Sequence, residues 1–234
     1  IMIERFLDIK YISIYSIGFS IGSIILIMIR GFYLAIEPII FENYDKKNFS
    51  KLIINYKVIF LLIINLVGCS VIIFSNEIVS IFVSFEYSES RLIIPFIATS
   101  CIFRGAQIIV DTTLYAQEKT IYHPIITGFG LLINIIGNII LLPIIGMVGA
   151  AISSLISFWI LYMLSVYVTK KFININWLSF RITTSIMLSC FLSSICSYIF
   201  FYNGLFTVAI KTFCVLSLSL ITLYLLKKVN IIHN

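Results

Sequence analysis

The chain has 234 residues, of which 61% are hydrophobic and 11% charged, with a net charge of +6 and a mean hydropathy of +1.12. A soluble domain carries about 25% charged residues, so the composition argues against a water-soluble globule and makes lipid the solvent for much of the surface. Basic residues lie between apolar runs rather than on a polar face with aromatics, which argues against nucleic acid as a partner.

Residue 1 is Ile, and no basic leader with a short apolar run and a cleavage site follows it. Seven segments then have the roughly 20 apolar residues that a transmembrane helix needs. They are 12–36, 52–74, 92–116, 124–145, 148–168, 182–201 and 205–226. The expected fold is all-α, a polytopic transmembrane helix bundle of about seven spans. A β-barrel would need alternating polar and apolar positions, which are absent.

The first span holds Gly18 and Gly22, a GxxxG pair suited to close helix approach, and two charges, Arg30 and Glu37. Lys46, Lys47, Lys51 and Lys57 follow it. The second span leads to the longest external loop, 75–91, with Glu77, Glu86 and Glu89 and an apolar run at 78–85 expected at the interface. The third span carries Arg104 near its middle and Asp111 seven residues on, a spacing that puts both on nearly one face about 10 Å apart. Arg30 and Glu37 repeat that spacing. A charge at a helix centre costs about 2.5–3.5 kcal/mol on insertion scales, so such residues face a bundle interior or a water-filled cavity. Structural interhelical ion pairs and a cationic cavity with titratable carboxylates are both compatible with the pattern.

Lys119 and His123 follow the third span, and His123 is expected at the interface. Asn134 and Asn138 share one face of the fourth span, suited to interhelical hydrogen bonds or to lining a polar path. The short Gly146–Met147 break makes the fourth and fifth spans a tight hairpin. Lys211 in the last span is expected to snorkel to the outer surface. Five cysteines, at 69, 101, 190, 196 and 214, read as small buried residues. No nucleophile–His pair, phosphate loop or metal-ligand spacing occurs, so no enzyme, metal or cofactor is expected.

The lysine-rich loops fall after every second span and hold ten of the sixteen basic residues. The positive-inside rule makes that side cytoplasmic. Residue 1 is then outside and Asn234 inside, and the chain is expected to be a fragment or a truncated product.

Residues 114–163 join a Lys-containing loop, a span with Asn134 and Asn138, Pro143, and the GxxGAA of Gly146 to Ala151. In that order these features resemble the bacterial lipid-linked oligosaccharide (O-antigen or capsular polysaccharide) flippases of the multidrug/oligosaccharidyl-lipid/polysaccharide exporter superfamily. Residues 4–24 are also similar to that family's entry into a mid-chain span, with Ser13 where Gly is usual. The resemblance implies two inward-facing bundles, of which this chain forms the second, C-terminal one. Residues 1–10 would end a preceding span and external loop, 11–168 hold five spans, 169–181 a cytoplasmic loop, and 182–234 two extra spans and a cytoplasmic tail.

It also implies polysaccharide export: flipping an undecaprenyl-pyrophosphate-linked oligosaccharide across the bacterial inner membrane by alternating access. Partners would be that lipid-linked oligosaccharide, the bilayer and other polysaccharide-assembly proteins. The candidate cavity residues are Arg104, Arg30, Asp111, Glu37, Asn134 and Asn138. No cofactor is implied beyond a coupling ion, H+ or Na+. A drug/cation antiporter of the same superfamily and an inactive truncated remnant are the alternatives.

Overall fold

A backbone in hydrocarbon must satisfy its own hydrogen bonds, so long apolar runs become helices. The computed structural model describes residues 8–44, 49–173 and 180–199, together with Lys211, Ser217, Leu220 and Tyr224. Every regular element among them is helical. In chain order they are α1 (Ile9–Gly22), α2 (Ile25–Asn43), α3 (Phe49–Ile73), α4 (Ser75–Phe82), a 3-10 helix (Phe85–Leu92), α5 (Ile94–Ala116), α6 (Tyr122–Thr169) and α7 (Phe180–Ile199). The last expected span, 205–226, lies outside the described residues apart from the four named, as do Lys46, Lys47, Lys227 and Lys228.

Among the described residues four helices are long and apolar enough to cross a bilayer: Ile9–Asn43, Leu52–Ile73, Ile94–Ala116 and Tyr122–Thr169. The first corrects the expected 12–36 span. It runs 35 residues through a local turn at Ser23, about 52 Å at 1.5 Å per residue, against about 30 Å of hydrocarbon. Pro38 lies inside α2 rather than ending it. Ile36 and Ile40 are buried on either side of the proline, and that packing carries the helix past the one lost hydrogen bond.

The 48-residue α6 carries two passes. Ile145 and Gly146 leave helical geometry, and Gly146 has φ +60°, where a side chain would be strained. The chain doubles back there into an antiparallel hairpin. Ser157 Oγ donates to the Gly130 carbonyl at 2.7 Å, and Gly137 packs so closely on Ser153 that a Cβ would lie 2.9 Å from its Oγ.

α5 is the central helix, in contact with α1, α2, α3, α6 and α7. Every residue from Ile97 to Leu114 is buried except Arg104 and Ile108. Glycines permit the close approach. A Cβ at Gly18 would lie 2.5 Å from Ile93, and one at Gly22 2.9 Å from Ile97, so the GxxxG face of α1 seats the start of α5. α5 ends in a Schellman turn: Lys119 N–H donates to Leu114 O at 3.0 Å and Glu118 N–H to Tyr115 O at 2.9 Å, with Glu118 at φ 59°.

Lys211 does not snorkel. It is fully buried, and its Nζ donates to Glu77 Oε1 at 2.5 Å. A counter-charge in the first turn of α4 removes the need to reach water.

Candidate functional site

Positions 104, 108, 111 and 115 recur at helical spacing and lie on one face of α5. That face is one wall of a cavity of about 370 Å³. Arg30 and Tyr33 of α2 line it from a second helix, and Phe19 of α1 joins them. His123, on the first turn of α6, and Phe158, on its returning arm, complete the lining. Along α5 the lining runs from Ser100 to Tyr115, about 22 Å.

Three of the six residues singled out in the sequence therefore meet in one cavity: Arg30, Arg104 and Asp111. Arg30 is exposed and Arg104 half-buried. Arg104 Nη1 donates to Gln107 Oε1 at 2.8 Å, and the guanidinium sits 5.9 Å from the centre of the Phe158 ring. Among the described residues neither arginine has a carboxylate within the 4.0 Å of a salt bridge. Asp111 is instead taken by His123, whose Nδ1 lies 3.1 Å from Oδ2. Thr127 Oγ1 lies 3.5 Å from the other ring nitrogen, and Tyr115 stands edge-on to the imidazole at 5.3 Å.

The other three do not reach the cavity wall. Glu37 lies two turns beyond Arg30, where the Tyr33 hydroxyl one turn back donates to its carboxylate. Asn134 and Asn138 face the seam of the α6 hairpin. Asn138 Nδ2 donates to Asn134 Oδ1 at 3.0 Å, and Asn134 Nδ2 approaches Ser154 Oγ at 3.5 Å. Residues four apart on one face thus bond to each other and to the facing arm.

His123, Gln107, Tyr33, Tyr115 and Phe158 were not among the expected site residues. A usable signal existed for His123. The turn after α5 is so short that α5 and α6 must be antiparallel neighbours, and residues 111 and 123 are equidistant from its start at Gln117.

Chemically, the described residues of the cavity offer two guanidinium groups without acidic partners among them, one carboxyl already held by an imidazole, and aromatic walls. Such a site attracts an anion of compact, multiply charged type.

The MatE family profile matches residues 1–140, which include every lining residue except Phe158. The chain is 26% identical over 106 residues to a protein of Haloferax volcanii named as a probable low-salt glycan biosynthesis flippase, Agl15. That stretch covers 45% of this chain and 22% of the relative, so the chain spans well under two thirds of the relative's length. No solved structure matches. A profile match over more than half the chain, on an all-helical bundle with several membrane-crossing helices, shows that this multi-pass membrane protein belongs to the MatE family.

Proposed function

We propose that the protein moves a lipid-linked oligosaccharide across the membrane, with Arg104 and Arg30 holding the anionic head of the substrate in the cavity. The observation that carries this reading is that two arginines on different helices face one cavity with no acid in salt-bridge reach among the described residues. A guanidinium at mid-span is expensive in lipid. An anionic head supplies the missing counter-charge, and it supplies it only while substrate is bound. The name of the Haloferax volcanii relative supports a glycan lipid as that substrate.

The substrate is an undecaprenyl-pyrophosphate oligosaccharide in a bacterial inner membrane. Its polar head crosses in the cavity while its lipid tail stays in the bilayer. Alternating access comes from rocking this bundle, the C-terminal one, against its counterpart. The lysine-rich loops are cytoplasmic, and H+ or Na+ is the coupling ion. Asp111 is the feature that favours the rival reading, a drug/cation antiporter. Its Oδ2 is already engaged by His123, and the described lining residues set two guanidinium groups against this acid.

Hydrogen bonds from a charged donor are worth about 1.5–3 kcal/mol each, or one to two orders of magnitude in affinity. In cells expressing the protein, Arg104→Ala and Arg104→Lys should both abolish most surface glycan display while membrane insertion is unchanged. The lysine variant should fail because it keeps the charge but loses the planar fork. Normal display with Arg104→Ala would overturn the assignment.

A further inference from the structure

Among the described lining residues, Asp111 is the one whose chemistry opposes an anion. Its side chain is only 3% exposed, its Oδ2 is engaged by His123, and its Oδ1 is buried without a hydrogen-bond partner. Buried polar atoms are almost always paired, so an unpaired one on a cavity wall points to a ligand that supplies the partner. A carboxyl oxygen repels phosphate oxygens, so that partner is not the group the arginines attract. An N–H or O–H donor fits, and in a glycan lipid the donors next to the pyrophosphate are sugar hydroxyls.

The placement agrees. Asp111 lies seven residues from Arg104 on the same face, about 10 Å along the axis. The long Arg104 side chain bridges part of that gap. Tyr115 stands one turn beyond Asp111 and offers a flat ring against which the apolar face of a pyranose can pack. His123 holds the carboxyl from the neighbouring helix through Oδ2, which leaves Oδ1 without a partner on a residue of the cavity wall. At about 370 Å³ the cavity is near the lower end of small-molecule sites, which run from about 300 to 1,000 Å³. It accommodates a charged head and the sugar attached to it, not a long glycan.

We propose that Asp111, positioned by His123, accepts hydrogen bonds from hydroxyls of the sugar bonded to the pyrophosphate, so that the cavity prefers a glycosylated lipid pyrophosphate over the bare one. This rests on the flippase reading above.

The test uses the full chain in nanodiscs and two probes, geranyl pyrophosphate and the same lipid carrying one N-acetylglucosamine on the pyrophosphate. Isothermal titration gives an affinity for each. Removing a negative charge beside two arginines tightens both probes alike, so the informative quantity is the ratio of the two affinities. The wild type should favour the glycosylated probe by about tenfold or more, the worth of a hydrogen bond to a charged group. Asp111→Ala should bring the ratio close to one, and Asp111→Asn, which keeps the shape and an acceptor oxygen, should fall between. If Asp111→Ala does not fold, the asparagine variant decides alone, and an unchanged ratio there overturns the proposal. It is also overturned by a wild type without preference, or by an alanine variant that keeps the preference while losing a Na+ dependence of binding. A wild type that binds neither probe removes the flippase reading itself.

Discussion

Gly128 and Gly130 stand two positions apart on the first arm of α6, yet a methyl group would meet different surroundings at each. At Gly128 an added Cβ has nothing within 4 Å. At Gly130 it would lie 2.4, 2.5 and 2.6 Å from Cγ, Cδ2 and Cδ1 of Leu161 on the facing arm. Replacing a helix-interior glycine by alanine gains about 0.5–1 kcal/mol from backbone entropy. That gain is common to both sites and cancels in their comparison. What remains is the packing clash. Because Leu161 Cγ is itself too close, turning the isobutyl tip relieves nothing, so Leu161 must change its whole rotamer or the arms must part. Overpacking of this kind costs about 1–3 kcal/mol. Gly130→Ala should therefore melt below Gly128→Ala by roughly 2–10 °C, measured in detergent by the loss of the monodisperse peak on heating. Adding Leu161→Ala to Gly130→Ala should recover part of the difference. Equal melting of the two single variants would refute the hairpin seam. The seam also matters for the cavity, since His123 and Phe158 stand on its two arms and a parted hairpin would move one wall against the other.

His123→Ala should lower stability by about 1–3 kcal/mol, because it leaves a second buried oxygen of Asp111 unpaired. The double variant with Asp111→Ala should recover most of that loss, and a thermal shift reads both. Glu77→Gln should be more damaging, by about 3–5 kcal/mol, because it strands the buried Lys211 charge. The apolar pair Glu77→Leu with Lys211→Met should restore much of the melting temperature, and wild-type melting of Glu77→Gln alone would show that the pair does not form.

The spans were legible because a run of about 20 apolar residues has few other fates. The hairpin was legible because a two-residue break leaves no other connection, and Gly146 takes the positive φ that the turn needs. Helix ends were less so. Pro38 suggests a stop, but burial of Ile36 and Ile40 is a property of the neighbours, not of the local sequence. The same limit divided the candidate site. Arg104 and Asp111 share a helix whose one open face is the cavity, so their spacing was enough. Arg30 and Glu37 share that spacing, but the wall does not extend two turns along α2, and Tyr33 takes the carboxylate instead. The asparagines were visible as a pair, and pairing is what they do. His123 is adjacent to Asp111 only through the geometry of a turn, which periodicity along one helix does not report.

The strongest feature of the site is the exception within α5. From Ile97 to Leu114 every residue is buried except Arg104 and Ile108, which lie on the face that opens to the cavity. A charge on so buried a helix is costly in the membrane unless something offsets it. An arginine kept for stability would have an acid beside it, as Lys211 has Glu77. Arg104 has a glutamine, an aromatic ring and open space. The contrast between these two intramembrane cations separates their roles. One charge is neutralised within the fold, whereas the other faces the cavity with no acid in salt-bridge reach among the described residues, which is what the proposed anion-holding role of Arg104 requires.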